Sequence, residues 1–585
     1  MIQASPKIRL LLTCAALPLA LGVACGDDDA SSKGSGGAGG AGGSVSGGGG
    51  AGAGGGGASG GSGATGGSAG ASGGSAGAGG ASGGSAGSDG GTTDASDAGD
   101  AGGMGVYVDC VNGSDTTGNG TLSTPFKTIE KAAGVAAKGD VVTILDGKCD
   151  ETTEPKFNQA NGTVDFPDGV GVKAQNAGKV TLQGGTPFRS AGFKFVGSGS
   201  VTGLSFVRFG RAISASSGTL GVHETSFDDV YQGRPLELSG SVVATLTPGA
   251  LTNYIGTNQH GIALLQGSAK LTVTGGAVSG ALDSGISGDS LFAVRDASEL
   301  VLTGVTLADN KLSGIAARNT AKVRVTSSST IKNTASVACC GQSSIRLQDT
   351  ALLEVTDSKI EAAPAPAILI DDVSATGSAK QTVNLSNSSI TGSTHGILSL
   401  STSGALPTVS LDGVAIANNG TGISLQSGGV LVIKASTIND NKTPCGPGIY
   451  LGKASAVSSL ELRSTQVKNN CTAGIQFLGA AGSSIDLGRG NSLGQNTITG
   501  NGTSGVGGLT VETAAAIVAY AAGNTWNPSV QAASASGTYA VPTGQNKLDV
   551  TGAQIGQNYA IKGSAAASIV VRLAENACIP QATCN

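Results

Sequence analysis

Three aspartates and two arginines near the middle of the chain have the types and spacing that could do chemistry. Asp349 and Asp372 each lie four residues after the isoleucine of a repeat, and Asp371 precedes Asp372. Arg318 and Arg346 belong to the same three repeats. If the repeats stack about 5 Å apart, these carboxylates repel one another unless a cation lies between them. Ca²⁺ could bind three carboxylates with carbonyls and water, but we favour a solvent-exposed turn with Arg–Asp ion pairs.

A second carboxylate pair, Glu461 and Asp486, is predicted to point outward from adjacent strands. Arg463 and Arg489 follow closely in the sequence and are expected to balance these two negative charges. The three histidines lie at turn positions or in a polar stretch, without a carboxylate partner in register. General acid–base catalysis therefore has little support from residue types and spacing.

The composition excludes several classes of function. The 585 residues include 100 glycines, 3% aromatic and 12% charged residues, and the net charge is −5. A nucleic-acid-binding protein should be basic and carry aromatic platforms, so we expect no nucleic-acid partner. Glycine dominates residues 34–105, and a glycine-rich but apolar body follows them.

A small residue followed by isoleucine recurs along this body. Ten steps from Ile213 to Ile475 average about 26 residues, and a period in the twenties without a helical pattern is typical of stacked arrays. The motif pairs are Ala212-Ile213, Pro235-Leu236, Gly261-Ile262, Gly285-Ile286, Gly314-Ile315, Ser344-Ile345, Ala367-Ile368, Gly396-Ile397, Gly422-Ile423, Gly448-Ile449 and Gly474-Ile475.

Alternating strands follow most of these motifs, and their period of two indicates half-buried β-structure. They begin at Leu271, Leu300, Val323, Leu353, Val383, Val409, Leu460 and Ile485. The leucine-rich-repeat consensus is absent, so we predict an all-β fold, a single-stranded parallel β-helix solenoid whose coils lie about 4.8 Å apart. Asn310, Asn419, Asn441 and Asn470 are expected at turns, where asparagine tolerates a left-handed backbone.

The residue after each repeat isoleucine is predicted to point away from the core. Only Arg346 is charged among these residues, so the face offers little for catalysis. The predicted outward residues are Ala263, Ser287, Ala316, Arg346, Leu369, Leu398, Ser424, Tyr450 and Gln476.

An amphipathic helix is predicted ahead of the coils. Thr124 is the expected N-cap, Pro125 takes the first helical position, and Gly139 follows Lys138 as the stop. Since a solenoid needs a cover at each end, we expect this helix to lie over the first coil. Its apolar face consists of Ile129, Ala132, Ala133 and Ala136.

The start of the body also carries a family signature. Its segments are Val106-Tyr-Val-Asp109, Gly113-Ser114-Asp115, Gly118-Asn119-Gly120-Thr121, Pro125-Phe126-Lys127-Thr128-Ile129 and Gly139-Asp140 through Gly147. Together they resemble the N-terminal signature of the domain-of-unknown-function 1565 family. That resemblance implies a right-handed parallel β-helix related to the pectate-lyase-like superfamily. The segment Gly523-Asn524-Thr525-Trp526 resembles the closing segment of the same family.

The resemblance also implies an alternative activity. Pectate-lyase-like enzymes use carboxylate-bound calcium to neutralise a sugar acid and a Lys or Arg to abstract a proton. A calcium-dependent polysaccharide lyase would here use Asp349, Asp371 and Asp372 for the metal. Arg346 or Arg318 would act as the base. The Asn-x-Asp and Gly-His-Gly motifs of polygalacturonases are missing.

The N-terminus predicts export and lipid anchoring. Residues 1–24 have the basic start and apolar stretch of a secretory signal, and the segment ending at Cys25 resembles a lipobox. We expect lipidation of Cys25 and attachment at the outer membrane or cell surface, with residues 25–105 as a disordered Gly/Ala/Ser-rich tether. The remaining predicted boundaries are 106–150 for the N-terminal cap, 151–530 for the coils and 531–585 for a closing segment.

Eight of the ten cysteines remain outside the signal and lipobox, an even number in an exported protein. Cys445 and Cys471 each lie four residues before the isoleucine of their coil, so stacking places them about 4.8 Å apart, within disulfide range. The other expected pairs are Cys110 with Cys149 and Cys578 with Cys584, while the adjacent Cys339 and Cys340 form either a vicinal bridge or two thiols.

We therefore expect a non-catalytic, exported and lipid-anchored β-helix protein that presents Ser, Thr and Asn to a glycan or matrix. Its partners would be the membrane, through the lipid, and a polysaccharide. We expect a monomer, with calcium as the one cofactor the residues suggest. The calcium-dependent lyase and a purely architectural spacer stay open as alternatives, because a fold hosts many functions.

Overall fold

The computed structural model describes most of the body of the chain. The chain divides into two units, Met1–Asp100 and Ala101–Asn585, and everything described below belongs to the second. The described residues are 105–159, 162–185, 190–228, 234–247, 251–252, 261–279, 290–311, 313–332, 334, 343–361, 364–371, 380–400, 406–453, 455–502, 507–513, 515–527, 537–538, 546–551, 559–562 and 568–575. The predicted signal, the lipidated Cys25, nearly all of the tether, Asp372 and the cysteines at 339, 340, 578 and 584 lie outside them.

Parallel strands from successive coils form three long sides, as predicted. Sheet 1 has 18 strands. They are Gly105–Val108, Val141–Ile144, Val170–Ala174, Gly199–Thr202, Thr219–His223, Val243–Thr247, Lys270–Thr274, Glu299–Thr303, Lys322–Thr326, Leu352–Thr356, Thr382–Ser386, Thr408–Asp412, Gly429–Lys434, Ser458–Arg463, Ser484–Asp486, Ile517–Tyr520, Ile569–Glu575 and Lys547–Thr551, which pairs antiparallel with Ile569–Glu575.

Sheet 2 has 15 strands, all parallel to their neighbours. They are Val164–Phe166, Ala191–Phe195, Arg211–Ala215, Leu236–Leu238, Ala263–Leu265, Ser290–Val294, Ser313–Ala317, Ile345–Leu347, Ile368–Ile370, His395–Ser399, Thr421–Leu425, Ile449–Leu451, Ile475–Gly479, Leu509–Thr513 and Tyr559–Lys562.

Shorter strands form the third side in two sections. A four-stranded sheet comprises Gly147–Cys149, Val180–Gln183, Leu204–Val207 and Ser226–Asp228. Sheet 3 has 12 strands: Leu251–Thr252, Ala277–Ser279, Thr306–Ala308, Thr330–Lys332, Lys359–Glu361, Ser389–Thr391, Ala415–Ala417, Thr437–Asn439, Gln466–Lys468, Thr497–Thr499, Thr525–Asn527 and Gly537–Thr538. A coil therefore visits sheet 1, the third side and sheet 2 in turn, which is a single-stranded parallel β-helix.

Apolar side chains stack in rows through the core. On sheet 1 the residues Leu300, Val323, Leu353, Val383 and Val409 lie in register on successive strands, and each is fully buried. Their polar neighbours point outward, because side chains alternate along a strand. This is the period-two pattern that the sequence predicts.

Two repeat positions differ from the prediction. The register pairs Leu236 with Ala263, not Ile262, and Ala263 with Phe292. Phe292 pairs in turn with Ile315. In these two coils the Gly-Ile motif therefore comes before the sheet 2 strand in the sequence. The strands are Ala263–Leu265 and Ser290–Val294.

The predicted helix is present as α1, Ile129–Val135, but it begins and ends elsewhere. Thr128, not Thr124, is the N-cap, and its hydroxyl accepts a hydrogen bond from the backbone N–H of Lys131. The chain leaves the helix at Ala136, before the predicted stop at Gly139. Pro125 favours a helix that starts at its own position, but the helix starts after Thr128 because the hydroxyl of Thr128 supplies the N-terminal cap. The four predicted apolar residues are all buried, and α1 packs on the first strands of sheets 1 and 2.

A buried carboxyl group holds the start of α1. Glu154 precedes the 3-10 helix Pro155–Asn158 and is fully buried. Its Oε2 accepts a hydrogen bond of 3.0 Å from the backbone N–H of Glu130, while Oε1 has no partner among the protein's atoms. Burial raises the pKa of Glu154 to about 7, so protonation relieves the desolvation of this group.

Asparagine side chains support the coils at the corner between sheets 3 and 2. The left-handed residues are Asn418, Asp440 and Asn469, each one position before an asparagine predicted to be left-handed. The predicted residues themselves are buried and point inward. Oδ1 of Asn441, Asn470 and Asn501 each accepts hydrogen bonds from the backbone N–H and Nδ2 of the preceding asparagine, beginning with Asn419. This ladder satisfies backbone groups that the corner would otherwise leave buried without partners.

Two disulfides link neighbouring coils. Cys110 is bonded to Cys149 with a Cα separation of 5.3 Å, and Cys445 to Cys471 with one of 5.2 Å. Both pairings are those predicted from the sequence. No helix in the described part of the chain is long and apolar enough to cross a membrane.

We predict that Asn470→Leu lowers the free energy of unfolding by about 2–4 kcal/mol, because it leaves the buried backbone N–H of Asn441 unpaired and removes one of the two acceptors of its Nδ2. The matched control is Asn469→Gly at the adjacent exposed, left-handed position, which should change stability by less than about 0.5 kcal/mol. Urea denaturation followed by circular dichroism measures both. Equal effects of the two substitutions would contradict the ladder's role.

Glu154 predicts a pH dependence of stability. Its folded pKa of about 7 lies above the usual glutamate pKa of 4.5, so its favourable contribution is complete below pH about 4.5 and is lost as the pH rises through about 7. We expect Glu154→Gln to stabilise the protein at pH 8 by on the order of 2–3 kcal/mol and to have little effect at pH 5. The control is Glu361→Gln on sheet 3, whose effect should not depend on pH in this way. Urea melts at both pH values test this.

Candidate functional site

Connections differ in length around the coil. Two residues link sheet 1 to sheet 3 in most coils, as between Ser386 and Ser389. In contrast, 12 residues separate Lys332 from Ile345 before sheet 2, and 11 separate Ile370 from Thr382 after it. Insertions therefore flank sheet 2 on both sides, and loops held on a rigid scaffold are where binding residues concentrate.

The outward residues of sheet 2 form one continuous row, which we call the outer row. It confirms the predicted positions from Ala316 onward. One upstream prediction is wrong, because the register gives Leu264 in place of the buried Ala263. Ala293 is the outward residue of the next strand, and the predicted Ser287 lies outside the described residues. The outer row is Leu264, Ala293, Ala316, Arg346, Leu369, Leu398, Ser424, Tyr450, Gln476 and Thr510.

Several outer-row residues are buried although they point away from the core. Leu369 is 1% exposed, Leu398 7% and Ser424 4%. An outward side chain on an open sheet would be solvated, so the outer face of sheet 2 is enclosed here. Groups on this face are consequently partly shielded from bulk water, which strengthens their electrostatic interactions.

Arg346 and Asp371 form an ion pair on this face. Nη2 of Arg346 lies 2.7 Å from Oδ2 of Asp371, and the two side chains are 14% and 19% exposed. The Arg–Asp ion pair that the sequence favours for these residues is therefore present between Arg346 and Asp371. The pair neutralises the charge of both residues.

Gln348 lies beside this pair and has no protein partner. Its backbone N–H donates to the carbonyl of Ala317, which extends the strand ladder by one residue. Because it follows Arg346 by two positions, it lies on the same face. The residue is 1% exposed, and neither Nε2 nor Oε1 finds a hydrogen-bond partner among the protein's atoms; Nε of Arg346 is buried and unpartnered as well. Sequence reasoning missed Gln348.

Asp349 supports a turn. Its φ of 58° is left-handed, and Oδ2 accepts a hydrogen bond of 3.0 Å from the backbone N–H of Asn319 one coil earlier. Asn319 and Asp296 are left-handed at the same position, and Nδ2 of Asn319 donates to Asp296. The sequence signal for this role is a residue that tolerates positive φ two positions after successive sheet 2 strands. These residues are Gly267, Asp296, Asn319 and Asp349.

The predicted calcium ligands are therefore held by different partners. Asp349 accepts from Asn319 and Asp371 pairs with Arg346, while Asp372 lies outside the described residues. Arg318 occupies the same ladder position as Gln348 in the preceding coil, since its N–H donates to the carbonyl of Val294. Within the described ranges, no three His, Cys, Asp or Glu side chains converge to hold a metal. Calcium binding stays a prediction.

Tyr450 presents the outer row's aromatic ring. It pairs in register with Ser424 on one side and Gln476 on the other. Burial raises the pKa of Tyr450, and the carboxylate of Glu512 raises it further. A half-buried phenol between a hydroxyl and a carboxamide is suited to contact a ligand that is polar at its edges and apolar on its faces.

The second predicted carboxylate site is satisfied internally. Asp486 pairs with Arg463 at 2.9 Å and with Arg489 at 3.1 Å. The guanidinium of Arg489 lies 3.9 Å from the ring centroid of Tyr520. Both arginines pair with Asp486, and among the described residues neither forms an ion pair with Glu461, so the expected charge balance is present at Asp486 alone. This cluster stabilises the end of sheet 1 through ion pairs and a cation–π contact.

Comparisons with known proteins agree with this architecture. Residues 252–410 and 406–498 match a family model described as the right handed beta helix region. The fold is a right-handed parallel β-helix. No curated protein sequence matches the chain.

Solved structures with similarity to the chain include three that are named for carbohydrates or their enzymes. Pectate lyase Pel9A is 14% identical with a TM-score of 0.35, covering 57% of this chain and 78% of its own. XylC in complex with xylose is 10% identical with a TM-score of 0.32, covering 77% and 89%. The Azotobacter vinelandii mannuronan C-5 epimerase AlgE6 A-module is 11% identical with a TM-score of 0.30, covering 68% and 91%. Similarity at this level says nothing about what this chain binds.

The role of Asp349 can be tested by two substitutions. Asp349→Asn keeps a residue that tolerates a left-handed backbone and should change stability by less than about 1 kcal/mol. Asp349→Val adds a β-branched side chain at positive φ and removes the acceptor for Asn319, so we expect a loss of about 2–4 kcal/mol. Urea melts in EDTA and in excess Ca²⁺ measure both. A calcium-dependent stabilisation that Asp349→Asn abolishes would instead identify a metal ligand.

Proposed function

We propose that this protein binds an extended polysaccharide along the outer row of sheet 2 without cleaving it. The observation that carries the proposal is the run of Ser424, Tyr450 and Gln476 on three successive coils of an enclosed, loop-flanked face. These three side chains supply a hydroxyl group, an aromatic ring and a carboxamide in a straight line.

The geometry of the row suits a polymer. Strands of neighbouring coils lie about 4.8 Å apart, so a glycan parallel to the helix axis meets a new coil at intervals comparable to the length of one sugar unit. The ring of Tyr450 can pack against the apolar face of a sugar. The carboxamide of Gln476, which is only partly buried, can then reach a hydroxyl group of the adjacent unit.

The charges of the row favour binding over cleavage. Arg346 is the one charged residue among the described outer-row positions from Leu264 to Thr510, and it is paired with Asp371. An arginine guanidinium stays protonated in proteins. Arg346 is consequently a poor base for a lyase reaction.

Export and lipid anchoring belong to the same proposal. The basic, apolar start of residues 1–24 and the lipobox-like segment at Cys25 support attachment at the outer membrane or cell surface. Residues 25–105 would then hold the β-helix away from the membrane, where polysaccharide is accessible.

Affinity gel electrophoresis against a panel of polysaccharides tests the binding role. We expect retardation by at least one polymer, weakened about tenfold by Tyr450→Ala, since loss of a stacked ring costs on the order of 1.4 kcal/mol. The control is Tyr107→Ala on the outer face of sheet 1, which should bind like the wild type. No retardation by any polymer would favour the architectural spacer.

A parallel ultraviolet assay for unsaturated uronate products, with and without Ca²⁺, tests the lyase alternative. We expect no product. Calcium-dependent product formation that Asp372→Ala abolishes would replace the binding proposal with the lyase.

Lipid anchoring has its own test. Metabolic labelling with a radioactive fatty acid should label the wild-type protein and leave Cys25→Ser unlabelled, because the acylated thiol is removed. The control substitution Ser31→Ala should be labelled normally. Equal labelling of Cys25→Ser and the wild type would contradict anchoring at this residue.

A further inference from the structure

We propose that a groove at the corner between sheets 1 and 3 binds a neutral sugar through its hydroxyl groups. The groove has a volume of about 430 Å³, which lies in the range of small-molecule sites. In a three-sided coil this corner lies across from sheet 2, so the site is separate from the outer row and does not depend on it. The polar side chains that would contact a ligand are Ser328, Asp357, Lys359, Asn387 and Ser389.

The turns of this corner shape the groove. Two residues link sheet 1 to sheet 3 in most coils, but three residues link Thr326 to Thr330. Ser328 in this longer turn lines one end of the groove, and its backbone N–H donates to the carbonyl of Asp357 in the next coil. Gly413 lines the other end. The groove therefore extends over three coil steps, which is about 14 Å at the spacing of parallel strands.

Two left-handed residues on adjacent coils leave their side chains free in the groove. They are Asp357, with a φ of 50°, and Asn387, with a φ of 47°. Their backbone N–H groups donate to the carbonyls of Ser386 and Asp412 in the next coil, so the turns do not need the side chains. In the part of the chain that the structure describes, the Asp357 carboxylate and the Asn387 carboxamide have no hydrogen-bond or ion-pair partner. Both residues are exposed, and a ligand in the groove can contact them.

The corner between sheets 2 and 1 shows what the same residue types do when they support a turn. Asp296 accepts hydrogen bonds from the backbone N–H of Gly267 and from Nδ2 of Asn319. Asp349 accepts one from the backbone N–H of Asn319. Aspartate and asparagine at left-handed positions are thus used within the protein at that corner. In the groove they are left available for a ligand.

The free groups match the hydroxyl groups of a sugar. The carboxylate of Asp357 only accepts hydrogen bonds, the ammonium group of Lys359 only donates them, and the carboxamide of Asn387 does both. Lys359 is exposed and pairs in register with the half-exposed Ser389. A sugar hydroxyl both donates and accepts. One sugar with several hydroxyl groups can therefore satisfy all of these side chains, whereas a simple anion or cation would satisfy only one charge.

Saturation-transfer NMR and titration calorimetry of the full-length protein test the site. The probes are glucose, galactose, mannose, xylose and N-acetylglucosamine, all in the presence of EDTA. We expect at least one of them to bind in the millimolar range, as is typical of a ligand with about a dozen heavy atoms. No binding of any of these sugars would overturn the proposal. Binding that appears only when Ca²⁺ replaces EDTA would overturn it as well, because the hydroxyl groups would then contact a metal.

Glycine substitutions at the two turn positions locate the site. Asp357→Gly and Asn387→Gly remove the polar groups but keep a residue that adopts positive φ without strain, as Gly304 and Gly413 do in the same row. Each substitution should weaken sugar binding about fivefold to tenfold through lost hydrogen bonds. The matched control is Ser464→Gly, at the left-handed position three coils beyond Asn387 and outside the groove. It should bind the sugar like the wild type.

Two further variants separate this site from the outer row. Lys359→Met keeps an unbranched side chain but removes the ammonium donor, and should weaken sugar binding several-fold. Circular dichroism verifies that each variant is folded. Wild-type affinity in the folded Asp357→Gly and Asn387→Gly variants would overturn the corner site. A loss of free-sugar binding in Tyr450→Ala but not in Asp357→Gly would place the sugar in the outer row, which overturns the corner site and supports the proposed function.

Discussion

Register between coils is the constraint on which the rest of this structure depends. Each side chain lies on its equivalent in the preceding coil, and a slip of one residue would turn every core side chain to the outside. The inter-strand hydrogen bonds alone do not prevent such a slip. The buried ladder from Asn419 to Asn501 opposes it, because Oδ1 of Asn441, Asn470 and Asn501 each accepts from both the backbone and the side chain of one particular asparagine.

The same constraint determines where the chain can vary. At the corner between sheets 1 and 3, serine hydroxyls such as those of Ser388 and Ser436 accept backbone N–H groups from the preceding coil. An insertion there would separate donor from acceptor inside the core unless another side chain takes the serine's position. Asn496 does so in the one described coil where ten residues link the two sheets, between Asp486 and Thr497. Insertions accordingly accumulate on either side of sheet 2, which gives one face of an otherwise uniform solenoid the enclosure that a binding site requires.

Ion pairs on the surface form between residues of the same or neighbouring coils. Arg346 with Asp371, and Asp486 with Arg463 and Arg489, are each satisfied within one or two coils. Gln348 lies beside the first of these pairs and is buried, which composition alone does not show.

The sequence by itself determined the period, the alternating strands, the buried face of α1 and the disulfide between Cys445 and Cys471, because stacking converts a constant spacing directly into contact. Only the tertiary structure decided which way side chains point at the corners. One left-handed residue, such as Asp440, turns the next side chain inward, so Asn441 supports the core and is not the left-handed residue itself. The neighbours Gln348 and Asp349 likewise have different roles. The backbone conformation makes Asp349 a turn residue, and burial leaves the Gln348 amide without a protein partner. Neither property can be read from the spacing of residues in the sequence.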